Sequence, residues 1–478
     1  MKRFSAHGPG PAALRLVHGR RLGLALAVGL ASTAVVTGVA SVSASANGGP
    51  GSDWPVYHGN PLGSGAAAGS STFHGATKAW TSHALRGQIF GEPLVEGNVV
   101  IVATETDNVY ALNATGRGQI VWSTQVGTPV PARMLPCGDI RPKVGITSTP
   151  VIDPTRSEVF VVADERTRGT ISHHLVGLSL STGKVLLDEV VDPAGSTPAA
   201  QLQRAALTLD DGQVIIASGG NAGDCSTYHG RVVAVPETGG ALRTFAVDPS
   251  LGNDQGAIWM GGAAPVVDSS GNIWVAAGNG SNTSGASPDY SDSVIELSPT
   301  LQPLQFFAPS TWATDNASDF DLGSSAPALL PDGLVLQIGK SQTAYLLDQS
   351  ALGGVGGQLT ELGPICGNDV DGGDAFVGQM VYLPCLGGVM AVQVQTFPPA
   401  LAVEWQSSSA AGPPIVADGL VWTINRSGRL YGLNPLTGSA TVQLKIGSVA
   451  NHFPTPSVGD GMVLAASANR VYAFTLTP

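Results

Sequence analysis

Acidic residues are missing from the first 52 positions of this 478-residue chain, and charged residues of both signs make up only 12% of it. Lys and Arg number 23 against 35 Asp and Glu; five of the basic residues stand in the first 46 positions, so the remainder carries 18 against 35, a formal −17. Such a surface has little with which to displace counterions from a polyanion, which argues against nucleic acid or an anionic membrane as a partner. Cysteine is scarce as well. The four, Cys137, Cys225, Cys366 and Cys385, form no C-x-x-C, which leaves no thioredoxin-type redox site and no covalent haem attachment. None of the nine His falls in H-E-x-x-H and no G-x-S-x-G occurs, so zinc proteases and serine hydrolases of those types find no support. The Gly-rich run at 353–357 lacks the Lys-Ser/Thr that completes a phosphate cradle.

The opening segment has the layout of an export signal. Lys2, Arg3, Arg15, Arg20 and Arg21 precede an apolar run from Leu22 to about Val42, and Ala44-Ser45-Ala46 offers a signal peptidase its small residues. A signal over 1–46, cleaved after Ala46, is therefore expected. The competing reading is an uncleaved anchor, which the Ala, Gly, Ser and Thr of the run make only weakly hydrophobic. Arg20-Arg21 also admits twin-arginine export. No Cys near the cleavage site invites lipidation, and no second apolar run is long enough to span a bilayer. The mature chain is expected to be secreted and extracytoplasmic, a monomer with no membrane span, in a compartment where disulfides persist.

What is abundant is turn-forming residues, 63 Gly and 33 Pro, against 43% hydrophobic residues that can fill a large core. A short apolar segment recurs along the chain, as in Val109-Tyr110-Ala111-Leu112-Asn113, Leu175-Val176-Gly177-Leu178, Val294-Ile295-Glu296-Leu297, Leu430-Tyr431-Gly432-Leu433-Asn434 and Val471-Tyr472-Ala473-Phe474. The second residues of its copies fall at 110, 176, 233, 295, 345, 390, 431 and 472, which are blade-length steps. Upstream of each copy lies a strand often opened by Pro, such as Pro93-Leu94-Val95, then a turn such as Asp418-Gly419 and a β-branched run; downstream comes Thr-Gly and a last strand carrying Trp122 or Trp405. Four strands per unit predict an all-β fold, an eight-bladed β-propeller of four-stranded antiparallel blades over 75–478, preceded by a leader over 47–74. The eighth unit stops after its third strand, and Lys78-Ala79-Trp80-Thr81 imitates Ile120-Val121-Trp122-Ser123, so an N-terminal strand is expected to close the ring. Seven blades or an open sandwich are the alternatives. The four cysteines allow three pairings; their position in the repeats favours Cys137 with Cys225 and Cys366 with Cys385.

Tyr-Ala-Leu-Asn at 110–113, then Thr115-Gly116 and Trp122, resembles the pyrrolo-quinoline quinone (PQQ) repeat of the quinoprotein alcohol dehydrogenase-like propellers. Asp53-Trp54-Pro55-Val56-Tyr57-His58-Gly59 is similar to the leader before their first blade. Cys137-Gly138-Asp139-Ile140, Gly145 to Asp153, Tyr228-His229-Gly230, Asp254 to Met260 and Asp321-Leu322-Gly323-Ser324 resemble secreted PQQ-binding-like propellers of bacteria. The same repeat also builds non-catalytic assembly scaffolds. Two departures stand out: quinoprotein alcohol dehydrogenases carry a disulfide between adjacent Cys, absent here, and are longer.

In a propeller the loops leading into the innermost strands form one mouth. The polar residues there are Arg86 and Gln88, Arg141 and Lys143, Gln203 and Arg204, Asp254, Gln255 and Trp259, Asp319 and Asp321, Asp369, Asp371 and Asp374, and Asn451 and His452. Their convergence predicts a site for a small polar ligand or a protein partner. If the ligand is PQQ, the resemblance implies that Arg141, Lys143, Arg204 and Lys340 meet its carboxylates and that Trp259 stacks on its ring, with Gln255 and His452 as further contacts. Asp321 or Asp371 then serves as base in a PQQ- and calcium-dependent dehydrogenation of an alcohol, sugar or polymer hydroxyl. Asp319 and Asp321 are the candidate calcium ligands, without the EF-hand spacing. Plain packing of Trp259 against Pro265, and turn formation by the Asp residues beside Gly323 and Gly372-Gly373, compete with these roles. His173-His174 is expected on loop surface. A non-catalytic envelope scaffold is the remaining reading.

Overall fold

The computed structural model describes residues 53–67, 75–250, 252–285, 287–451 and 453–477; the expected export signal and His452 lie outside them. Eight antiparallel sheets form the expected propeller, running from an inner first strand to an outer fourth in chain order in every blade but the last, whose fourth strand comes from the N-terminal end. Blade 1 shows the pattern: Leu94–Glu96, Val99–Thr104, Asn108–Asn113 and Ile120–Gln125, of which the two middle strands are buried almost throughout and the last alternates exposed and buried residues. The middle strands are continuous Val/Ile/Leu/Ala runs because neighbouring blades cover both their faces, whereas the outer strand meets water on one side. Blades 3 and 4 depart from four strands. Gln201–Leu202 adds to blade 3, and Gly354–Val355 adds in parallel to Pro303–Ala308 of blade 4.

The ring closes as the sequence predicts. Gly75–Thr81 pairs with Arg470–Thr477, from Gly75 opposite Thr477 to Thr81 opposite Tyr472, and so completes blade 8. The recurring tryptophans are what join one blade to the next. Trp80 Nε1 donates to Ala114 O at 2.7 Å, Trp122 Nε1 to Leu180 O at 2.8 Å and Trp405 Nε1 to Pro435 O at 2.9 Å, each reaching from an outer strand to the following blade. Against each indole lies a glycine with positive φ, Gly118 (66°), Gly183 (69°) and Gly438 (67°), where a Cβ would overlap the ring. Gly183 and Gly438 belong to Thr-Gly pairs, whereas Gly118 follows Arg117; at each, glycine alone both adopts the turn and leaves room for the indole.

The leader is built into the propeller rather than standing before it. Residues 53–67 cross the first strands of five blades: Trp54 exchanges backbone hydrogen bonds with Val95, Pro55 O accepts from Ile152, Pro61 O from Val267, Ser64 O from Phe376, and Val416 bonds to both Gly65 and Ala67. This strap is anchored from within by Glu92, 2% exposed, which accepts from Trp54 Nε1 and from the His58 backbone N–H, each at 3.0 Å.

Both cysteine pairings expected from the repeats are present, Cys137–Cys225 and Cys366–Cys385, with Cα separations of 6.1 and 5.3 Å. Two such bonds belong to a protein that meets an oxidising environment. Among the described residues no helix is long and apolar enough to cross a membrane. One expectation fails: His173-His174 is not loop surface but lies within the strand Thr170–Ser179, with His173 buried between Asp164 and Asp192. The ten-residue strands of this blade carry the chain further than the repeat predicts.

Candidate functional site

The segments entering blades 1 to 6 and blade 8 converge around a cavity of about 720 Å³. They contribute Phe90, Asp139, Leu202 and Arg204, Trp259, Asp319 and Asp321, Asp371, and Asn451 with Phe453. In an antiparallel blade, connections between the second and third strands emerge on that same side, and three of them complete the wall: residues 220–224 of blade 3, Asn279 of blade 4 and Lys340 of blade 5. The disulfide Cys137–Cys225 ties the Asp139 segment to the 220–224 loop. Cys366–Cys385, both ends fully buried, holds the segment that carries Asp371.

Of the residues singled out from sequence, Arg204, Trp259, Asp319, Asp321, Lys340 and Asp371 meet in this cavity. Arg141 and Lys143 do not line it. They lie on and beside the short strand Lys143–Val144, where the Arg141 guanidinium donates to Ile140 O at 3.0 Å. Gln255 is likewise outside the lining, its backbone bridged to His229 and Gly280. Asn221, Asp224 and Asn279 were not among the candidates, because attention to the entry segments passes over the second-to-third-strand loops.

Inside the cavity the charges fall into two groups. Asp321, 5% exposed, holds the Lys340 ammonium at 2.6 Å through Oδ2 and accepts the Asn279 backbone N–H at 2.8 Å through Oδ1. Lys340 also reaches the exposed Asp319 at 3.3 Å and stands 5.5 Å from the centre of the Trp259 ring. Burial lifts the Asp321 carboxyl above the usual carboxylate range, and Lys340 limits that lift. Burial alone would lower the Lys340 ammonium, but Asp321 and Asp319 outweigh it and hold it above its ordinary range.

Arg204 forms the second group. It is 7% exposed, packs its guanidinium 4.7 Å from the centre of the Phe453 ring, and has no hydrogen bond or ion pair among the described residues. Burial lowers it to about 10, so it remains a cation at neutral pH. Asp371 lacks a partner for its buried Oδ1 among the described residues, and burial raises its carboxyl to about 7. The cavity therefore offers a free guanidinium, a carboxylate poised near neutrality, an Asp–Lys pair and two aromatic faces, Trp259 and Phe453, whose centres are 6.0 Å apart.

Residues 66–282 match the family described as outer membrane protein assembly factor BamB. No curated protein sequence matches the chain. Among solved structures, the quinohaemoprotein alcohol dehydrogenase of Comamonas testosteroni superposes with a TM-score of 0.67 at 15% identity, covering 90% of this chain and 81% of that one. The quinohaemoprotein alcohol dehydrogenase ADHIIG of Pseudomonas putida HK5 gives 0.67 at 14%, covering 89% and 80%. BamB of Moraxella catarrhalis gives 0.53 at 15%, covering 84% and 97%. At such identities the likeness is one of fold. Taken with the repeats and the closed ring, the chain is an eight-bladed PQQ-repeat β-propeller of the quinoprotein alcohol dehydrogenase-like fold.

Proposed function

We propose that the axial cavity binds a small, flat, anionic ligand, with Arg204 as its anchor. The observation that carries this reading is the Arg204 guanidinium, buried and without a hydrogen-bond acceptor among the described residues, in a cavity that the rings of Trp259 and Phe453 also line. Glu105, Asp139 and Asp371 lie close enough to offset part of its charge, but none is hydrogen-bonded to it; a ligand carboxylate would supply that direct acceptor, most strongly as a charge-assisted bidentate contact. Export through residues 1–46 into an oxidising compartment belongs to the same proposal, supported by the two disulfides.

A PQQ-type quinone with calcium fits the donor set in part. Arg204 and the rings of Trp259 and Phe453 suit a planar carboxylate, Asn279 lines the cavity, and Asp371 has an oxygen without a partner among the described residues; Arg141 and Lys143 lie away, so fewer cations meet the ligand than the resemblance implies. When bound, such a quinone supplies a two-electron oxidant for an alcohol. The chain's own part is specific. Lys340 and the Asn279 N–H hold Asp321 in one orientation, an ionised Asp321 can take a hydroxyl proton, and Trp259 closes one side against water. Dehydrogenation of an alcohol, sugar or polymer hydroxyl is therefore the second reading, favoured by the Asp321–Lys340 pair beside Trp259.

Titration of the purified mature chain with PQQ, with and without Ca²⁺, tests both, followed by calorimetry and tryptophan fluorescence. Saturable 1:1 binding that weakens about 10- to 100-fold in Arg204→Ala supports the anchor. Dye-linked alcohol oxidation that needs added PQQ and Ca²⁺ and disappears in Asp321→Asn supports the dehydrogenase. Absence of binding to PQQ and to a panel of aromatic carboxylates, with a protein partner retained at the cavity mouth, would overturn the ligand reading in favour of a scaffold.

A further inference from the structure

Blade 2 carries a second cluster of titratable groups away from the axial cavity. Its two middle strands, Glu158–Thr167 and Thr170–Ser179, pair over their full ten residues. Because successive residues on a strand face opposite sides, His173 and His174 part company. His173 turns inward to Asp164 and Asp192. His174 faces the other side, where its Nδ1 lies 2.8 Å from Asp188 Oδ1 on the strand Val185–Val190 and 3.9 Å from Glu165 Oε1, while its Nε2 lies 3.0 Å from Ser172 Oγ.

We infer that Glu165, His174 and Asp188 form a site for one transition-metal dication of the Zn²⁺ type, which would tie three strands of blade 2 together. Their ligand atoms all lie within 4.8 Å of one another, so small side-chain adjustments bring them to a common ion at bond lengths of about 2 Å. An independent observation points to a ligand. Glu165 is 7% exposed, and its Oε1, the atom facing His174, has no hydrogen-bond partner among the described residues. A buried carboxylate oxygen left in that state is costly unless something pairs with it. The surroundings reinforce the demand for a cation: fully buried Asp107, both of whose carboxylate oxygens lack a partner among the described residues, stands near enough to Glu165 for their charges to repel.

The chemistry of the set selects the ion. One imidazole nitrogen with two carboxylate oxygens suits Zn²⁺ or a neighbouring first-row metal, whereas Mg²⁺ prefers oxygen and water. At 2.8 Å from Asp188 Oδ1, His174 Nδ1 donates to that carboxylate; an ion bound there would take the place of this proton, and Ser172 Oγ is placed to accept from Nε2–H and orient the ring, the usual way a second hydrogen bond orients a ligating histidine. The site sits at the base of the projecting end of the blade 2 hairpin, where the Arg166 N–H donates to Thr128 O at 2.8 Å. A bound ion would thus fix the hairpin and the neighbouring connection together.

The test is calorimetric titration of the full chain with ZnCl₂, repeated for His174→Gln, Glu165→Gln and Asp188→Asn, with Asp321→Asn reporting on the acidic axial cavity. One Zn²⁺ is expected to bind, at least tenfold more weakly in each blade 2 variant and unchanged in Asp321→Asn. Melting temperature is expected to rise with Zn²⁺ but not Mg²⁺, and the rise to vanish in His174→Gln. Asp188 is half-exposed, so Asp188→Asn gives the answer even if a more buried replacement upsets folding. No binding, unchanged binding in Asp188→Asn and His174→Gln, or binding lost only in Asp321→Asn would overturn the assignment.

Discussion

Replacing Lys340 with Met removes an ammonium from a carboxylate that has few other partners, and the expected consequence depends on pH. In the native protein Asp321 is 5% exposed, with Lys340 Nζ 2.6 Å from Oδ2 and one backbone N–H, from Asn279, on Oδ1. Breaking a buried pair from one side costs about 3–5 kcal/mol, mostly for the charge left behind. The Lys340 side chain is 18% exposed, which places the expected loss near the lower figure, about 3 kcal/mol at roughly pH 8. Its contact with Asp319 adds little, since Asp319 is 69% exposed. In the variant nothing restrains the upward push of burial on Asp321, so its folded pKa rises further above the unfolded value. The native state then holds a proton that the unfolded state has released, and stability falls as pH rises through that window. Urea unfolding of the wild type and the variant should therefore show a large difference near pH 8 that shrinks at a second, acidic pH, as Asp321 in the variant takes up a proton. Adding Asp321→Asn to the variant should restore much of the loss at the higher pH. Equal losses at both pH values, without rescue by the second substitution, would refute the charge argument and leave packing against Trp259 as the cause.

Three further outcomes are expected. Trp54→Ala empties a site that is 1% exposed and takes the indole N–H from Glu92, so it should destabilise the chain by about 3–5 kcal/mol, read as a fall in the unfolding midpoint with unchanged denaturant slope. Replacing Cys137 and Cys225 by Ser opens a link across 88 residues, which should lower stability by up to about 4 kcal/mol and weaken ligand binding at the cavity wall they join, measured by thermal melting and titration. Asp248 is fully buried with neither carboxylate oxygen paired among the described residues, and burial raises it to about 8. A carboxyl raised in the folded state makes stability fall as pH rises from about 4 to about 8, so Asp248→Asn should flatten the stability–pH profile across that range.

Repetition made the fold legible in the chain itself. Eight copies of a buried third strand, Asp-Gly turns between apolar runs and a Trp strand at both the seam and the blades are local signals with one common period, and they predict ring, blade count and closure together. Even the cysteine pairs follow from their places in the repeat. The strap was legible only as a leader: Trp54 and Tyr57 stand out as residues, but nothing near them in sequence says that they would bind to strands as distant as Val416. The site was readable by half. Entry segments are found by counting from the repeat, and the structure brings Arg204, Trp259, Asp321 and Asp371 from them into one cavity. Arg141 and Lys143 came from the same rule and fell outside, because the extra hairpin of Val130–Pro131 with Lys143–Val144 carries them off the channel.

What the sequence by itself determined is the architecture, since period, turn chemistry and burial pattern all act over a few residues and agree in every blade. Only the tertiary structure decided which charges are paired. Lys340 is satisfied by Asp321 while Arg204 has no such partner among the described residues, and His174 meets Glu165 and Asp188. The physical reason is that pairing depends on distances between side chains brought together from separate blades and strands, and the spacing along the chain carries no record of those distances.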